Sequence, residues 1–108
     1  MSLGELMCPQ YYRYLGNVRE ANMGQITLRY WAGARGASGV EYDQMPADEP
    51  VTISVVAAWA VAQHPALAKI MPVCRVLHLN ETYLNEDAMT VIAEPGQQVE
   101  FLPPFAGG

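Results

Sequence analysis

The chain has 108 residues, 51% of them apolar and 16% charged, a balance that supports one packed domain and argues against a disordered segment. Eleven acidic against six basic side chains give a net charge of −5, the wrong sign for coating a phosphate backbone, so nucleic acid is excluded as a partner and a basic protein surface is favoured. The longest unbroken apolar run, Val55 to Ala62, is far short of the roughly 20 residues that span a bilayer, and no membrane segment is expected.

Residues 1–24 carry no clear hydrophobic period, although Tyr11, Tyr12 and Tyr14 make them aromatic. They lack the charged start, apolar stretch and cleavage site of a secretory signal, which assigns the chain to the cytoplasm. They are read as an N-terminal extension, part of it a cloning remnant, with Met23 as an alternative start. The two cysteines, Cys8 and Cys74, offer neither a disulfide framework nor metal spacing. Cys74 reads as a small buried thiol and Cys8 as a thiol of the extension.

The domain proper spans 25–102. From Gln25 the chain alternates, with Ile26, Leu28 and Tyr30 on one side and Thr27, Arg29 and Trp31 on the other, the pattern of a strand with one buried face. Gly33, Gly36 and Gly39 read as turn residues leading to a second strand over Val40 to Met45, the two strands forming a hairpin. Pro46 to Pro50 breaks that strand. Thr52 is the expected N-cap of a helix running to Gln63 or His64, because Pro65 disfavours helical geometry at the residue before it.

In that helix Ile53, Val56, Ala57, Ala60 and Val61 form one apolar stripe, and Val55, Trp59 and Ala62 form a second. A surface helix buries one stripe, so the second calls for a cover: either the tyrosine-rich extension or another copy of the chain, a homo-oligomer through the Trp59 face. A short helical turn over Ala66 to Met71 follows. The run Val73 to Asn80 reads as a third strand with Leu77 and Leu79 facing the core. A turn, a short piece near Tyr83, and the reversal at Pro95-Gly96 lead to the last strand, in which Val99 and Phe101 take the core positions.

Pro103-Pro104 stops that strand by removing two ladder donors and favours an extended conformation for the remainder. Residues 103–108 are therefore a tail, Pro103-Pro104-Phe105-Ala106-Gly107-Gly108. The four residues after Pro104 reach at most about 13 Å at roughly 3.3 Å each. Gly107 and Gly108 have no Cβ, so a partner enzyme can close around the backbone and reach the final carboxylate. Strand, strand, helix, strand, short element, strand, with the first and last strands central and parallel, is an α+β arrangement: a mixed four- to five-stranded sheet wrapped around one main helix, the β-grasp order of ubiquitin-like proteins.

The segment Phe101 to Gly108 resembles the end of the small subunit of molybdopterin synthase, which closes on two apolar residues, Pro-Pro, a hydrophobic residue, a small residue and Gly-Gly. Further similarity lies in Tyr30-Trp31-Ala32 followed by Arg35, in the Thr52-led helix, in Leu79-Asn80 and in Pro95-Gly96-Gln97. The chain differs from that family in Glu81, where glycine is frequent, and in the alanines of its main helix. The resemblance implies a sulfur carrier. Gly108 would be adenylated by a ubiquitin-activating-like enzyme that uses ATP and magnesium, then converted to a thiocarboxylate by a sulfur donor protein. The large synthase subunit would take that sulfur to build the dithiolene of molybdopterin.

On this reading the chain binds no cofactor or metal of its own, and the catalytic residues lie on the partner subunit. No nucleophile–base pair, phosphate loop or metal spacing argues for an independent enzyme. Trp31 and Leu102 share the open face of the sheet and, with His78 and Arg35, are the candidate partner-binding residues; burial under the extension is the competing reading for Trp31. His78 reads more as a bystander than as an acid or base. Two alternatives use the same fold and tail: a sulfur carrier for thiamine or cysteine synthesis, and a ubiquitin-like modifier or interaction module.

Overall fold

A computed structural model describes residues 24–104; the extension, including Tyr11, Tyr12, Tyr14 and Cys8, and the tail residues Phe105, Ala106, Gly107 and Gly108 lie outside the described residues. Strand β1 (Gln25–Tyr30) forms where the alternation predicts it, with Ile26, Leu28 and Tyr30 buried. It pairs antiparallel with β2 (Tyr42–Pro46) in the register Gln25 to Pro46, which is the expected hairpin.

The glycine-punctuated connection between these strands is a helix, α1 (Ala32–Ser38), and not the turn that its glycines predict. Ala34 is buried, and a Cβ on Gly33 would stand 2.7 Å from Ile70 Cδ1. The glycine there permits close approach of the helix to the segment after the main helix, which outweighs its poor helix propensity. Gly39, at φ 79°, ends α1 in a left-handed cap, its N–H donating to the Arg35 carbonyl, a common use of glycine at a helix end.

After β2 a two-residue strand, β3 (Val51–Thr52), pairs with β6 (Ile92–Ala93), a small second sheet that alternation over so few residues cannot reveal. The main helix, α2 (Ile53–Gln63), has Thr52 at its N-cap and His64 at its C-cap, as expected, although the Thr52 hydroxyl bonds Ser54 Oγ at 2.7 Å instead of a helix amide. Ile53, Val56, Ala57 and Ala60 are buried against the sheet. The second stripe does not behave as one surface: Trp59 packs against the core, while Val55 and Ala62 stay exposed.

Two 3₁₀ turns, Pro65–Lys69 and Met71–Val73, carry the chain to β4 (Arg75–His78). Here the expected phase is wrong by one residue. Cys74, Val76 and His78 face inward, whereas Leu77 is half-buried and Leu79 is 63% exposed. Leu79 and Asn80 are the two central residues of a hairpin turn between β4 and β5 (Glu81–Tyr83), closed by the pair His78 to Glu81. Both have positive φ, 50° and 66°, the geometry of a tight hairpin turn whose twist matches that of its strands.

A short helix, α3 (Asn85–Ala88), follows, and the Glu94 carbonyl accepts from Gln97 N–H across Pro95-Gly96, with Gly96 at φ 93°. The chain then enters β7 (Gln98–Leu102). The sheet order is β2-β1-β7-β4-β5, with β1 and β7 central and parallel. One helix crosses its buried face, which is the β-grasp arrangement the element order predicts. Among the described residues no helix is long and apolar enough to cross a membrane.

Candidate functional site

Everything that distinguishes the open face of the sheet gathers where β7 runs out. Val99 and Phe101 are fully buried, so Glu100 and Leu102 point the other way. Leu102 lies opposite Arg75 in register, and Tyr30 opposite Phe101 brings Trp31 beside the same strand end. The Trp31 N–H donates to the Phe101 carbonyl at 3.2 Å. Trp31, Ala32, Arg75, Leu102, Pro103 and Pro104 together line a largely apolar groove of about 530 Å³. The two prolines of the tail root thus form one wall of the groove whose floor holds Trp31 and Leu102.

The surroundings of Trp31 are ordered by charge. Its indole Nε1–H donates to Glu100 Oε1 at 2.8 Å, and Gln98 Nε2 donates to the other carboxylate oxygen at 3.0 Å. The Arg29 guanidinium lies 5.8 Å from the Trp31 ring centre and 5.9 Å from that of Tyr42, so one cation bridges two aromatic rings across β1 and β2. Cation–aromatic contacts at this distance contribute about 0.5–1 kcal/mol each when exposed. Trp31 remains 42% exposed, a large ring held by Glu100 at its nitrogen and by Arg29 over its ring.

Beneath the same strand end lies a polar clasp. The Tyr30 hydroxyl donates to Asp43 Oδ2 at 2.8 Å, and His64 Nε2 meets the same oxygen at 2.7 Å. The Tyr30 ring stacks on Phe101 with centres 6.1 Å apart. Burial, with the Asp43 carboxylate as a second cause, pushes the Tyr30 phenol far above its ordinary range, so it stays a hydrogen-bond donor. Strands β1 and β2 and the end of α2 are thereby tied together under Leu102. Nothing in the spacing of Tyr30, Asp43 and His64 announces this clasp; Asp43 facing inward on β2 is the one sign alternation offers.

Two candidate residues fare differently from Trp31 and Leu102. His78 is buried, 3% exposed, and its Nε2 meets Gln97 Oε1 at 2.8 Å. Gln97 Oε1 also accepts from Glu94 N–H, so the imidazole acts as donor and fixes the turn ahead of β7. The structure corrects its assignment to the docking surface: His78 faces the core because β4 has the opposite phase to the one expected. Arg35 is exposed on α1 and paired with Glu41 at 2.8 Å. Cys74 is buried, its thiol donating to the Ile70 carbonyl and pushed up to about 11 by burial. Among the described residues no three His, Cys, Asp or Glu side chains are grouped as metal ligands.

Sequence reasoning missed Ala32 and Arg75. Ala32 has φ 45°, a left-handed conformation that costs an L-residue about 1–2 kcal/mol, and its methyl lines the groove. Arg75 is legible only once Leu102 is known to lie opposite it.

Comparison with known proteins agrees with this geometry. A molybdopterin synthase sulfur carrier subunit of Chlamydomonas reinhardtii is 30% identical over 84 residues, which is 78% of this chain and 99% of that protein. No family model matches the chain. Among solved structures, SAMP1 from Haloferax volcanii superposes with a TM-score of 0.67 at 20% identity, covering 79% of this chain and 100% of its own. A putative molybdopterin converting factor subunit 1 from Pyrococcus furiosus gives 0.62 at 12% identity, covering 74% and 97%. These two show the shared ubiquitin-like fold.

Proposed function

Because the chain belongs to the family of molybdopterin synthase sulfur carrier subunits, we propose that it carries sulfur on the carboxyl group of Gly108. A carboxylate is a poor electrophile. Attack of its oxygen on the α-phosphorus of ATP releases pyrophosphate and leaves an acyl-adenylate, in which AMP is a competent leaving group. The terminal sulfur of a donor protein's persulfide then displaces AMP to give an acyl disulfide. A second thiol cleaves it by forming a new disulfide with the donor cysteine, and the thiocarboxylate so released delivers its sulfur to a pyranopterin on the large synthase subunit. ATP and magnesium belong to the ubiquitin-activating-like enzyme, and the catalytic residues of sulfur transfer to the large subunit.

The observation that carries this reading is the placement of the tail root. A central strand ends at Leu102 on the open face, and Pro103 and Pro104 leave it along a groove that also presents Trp31. Proline removes the donors that would continue the ladder. The four residues beyond Pro104 extend no more than about 13 Å, so a partner acting on Gly108 comes within that distance of Pro104, which favours this groove as its resting place. Trp31 and Leu102 are its apolar anchors, of the kind that dominate interface energies; Arg35 lies at the margin.

Intact-mass spectrometry tests the chemistry. Incubated with its activating enzyme, ATP, magnesium and a sulfur donor, the protein gains the mass of one oxygen-to-sulfur exchange, and deletion of Gly108 abolishes the gain. A stable isopeptide conjugate without that exchange makes the chain a protein modifier instead. Exchange followed by transfer to a thiamine or cysteine precursor, and not to a pyranopterin, moves it to another sulfur pathway.

A further inference from the structure

We propose that Arg75 is a docking pin for a carboxylate on the rim of the tail-receiving channel of the large synthase subunit. The inference rests on the proposed function and adds the chemistry of the partner surface. Arg75 opens β4, is exposed, and stands opposite Leu102. It is the charged residue of the groove shared by Trp31, Leu102 and Pro104. It also lines a second groove of about 530 Å³ on the other flank of Pro104, bordered by Val73, Leu84 and Glu86. Val73 and Leu84 are 56% and 50% exposed, and this guanidinium sits between the apolar groove of Trp31 and Leu102 and a mixed recess that Asn85 and Glu86 make partly polar.

The other described arginines of this region are engaged. Arg29 is held between the Trp31 and Tyr42 rings, and Arg35 is paired with Glu41. Glu100, the acid nearest Trp31 in the strand, already accepts from Trp31 and Gln98. Among the described residues the salt bridge between fixed charges is Arg35–Glu41, the other close contact being His64 Nε2 with Asp43, and Arg75 is in neither. Glu86 borders the second groove but makes no salt bridge with Arg75. A partner that covers the apolar groove therefore strips water from a cation that lacks a direct counter-charge among the described residues, which is costly. The partner that fits offers apolar side chains to the Trp31–Leu102 groove and a carboxylate at its Arg75 edge.

The chain as a whole carries −5 and favours a basic partner surface, which makes an acid opposite Arg75 a local exception that sets the register of docking. The large subunit is the occupant because the Chlamydomonas reinhardtii relative is named as a subunit of molybdopterin synthase. The other synthase subunit is then the partner that a groove at the root of the tail would face, and a paired, desolvated guanidinium would act there mainly by slowing dissociation.

The test measures affinity for the cognate large subunit and the rate of thiocarboxylation by the activating enzyme, using wild-type protein and the variants Arg75→Lys, Arg75→Gln and Arg75→Glu, each checked for an unchanged melting temperature. At 50 mM salt Arg75→Gln binds the large subunit about threefold and Arg75→Glu about tenfold more weakly, and Arg75→Lys stays within about twofold. The differences shrink at 500 mM salt, and thiocarboxylation is unaltered. Wild-type affinity for Arg75→Glu, a loss that salt does not reduce, or a defect confined to thiocarboxylation each overturns the proposal. If Trp31→Asp weakens binding while Arg75→Glu does not, only the pin fails; if the wild-type chain does not bind the large subunit at all, the proposed function fails with it.

Discussion

Tyr30 and Trp31 are neighbours in the chain and belong to opposite worlds. Tyr30 is 1% exposed, stacked on Phe101 and tied to Asp43, while Trp31 lies open above the sheet. The same division runs through the molecule. The covered face is built from aliphatic residues, the stacked rings of Tyr30 and Phe101, and one satisfied histidine; the open face carries Arg29, Trp31, Tyr42, Glu100, Leu102 and Arg75. Left-handed backbone at residues other than glycine falls, among the described residues, at Ala32, Leu79 and Asn80. All three side chains line recesses of the open face. The buried core lies on one face, and this left-handed backbone borders the other.

The largest expected effect breaks that division at Phe101. Phe101→Ala removes a fully buried ring from the centre of the sheet and should cost about 3–5 kcal/mol in denaturant unfolding, whereas Leu102→Asp, one residue later, should leave the unfolding midpoint nearly unchanged. A similar loss for both would show that Leu102 serves the core. Next, Trp31→Asp should weaken binding to the large subunit by about 2 kcal/mol or more with the fold intact; calorimetric titration with unaltered affinity would place the anchor elsewhere.

A third expectation concerns Cys74 on the covered side. Its thiol is raised from 9.0 to about 11, so below pH 9 the folded protein holds about a hundredfold less thiolate there than an unfolded chain. In a Cys8→Ser background, alkylation at pH 8 should stay negligible until denaturant is added. Because the folded value is the higher one, the contribution to stability is complete below pH 9 and declines as pH rises through 11. Alkylation of native protein at the rate of a free thiol would mean that Cys74 is not held in the core.

The smallest effect sharpens the comparison from the open side. Leu79→Asn places in a left-handed position a residue that tolerates it, and should raise stability by about 0.5–1 kcal/mol. A melting temperature that falls instead would mean that the Leu79 side chain supports the hairpin.

Much of this architecture follows from short-range pattern. The period-two alternation of β1 and β7 identifies their buried residues, and Pro65 ends α2 where its steric demand on His64 requires. Pro103 ends β7 where the loss of its ladder donor requires. The phase of β4 is not legible, because Leu77 and Leu79 are as apolar as Val76 and Cys74. The choice is made by the two-residue turn, which puts Leu79 at a hairpin tip and leaves His78 to pair with Gln97 inside.

Local composition determined the strands of the central pair, the main helix and the stop of the last strand at Pro103, since each depends on period or proline within a few residues. Tertiary structure alone decided three things: that Gly33 packs a helix against Ile70, that Tyr30, Asp43 and His64 share one carboxylate oxygen, and that Arg75 stands opposite Leu102 beside Trp31. Each joins residues far apart in the chain. Such contacts form only after the sheet has brought its strands into register, and no window along the sequence contains both partners.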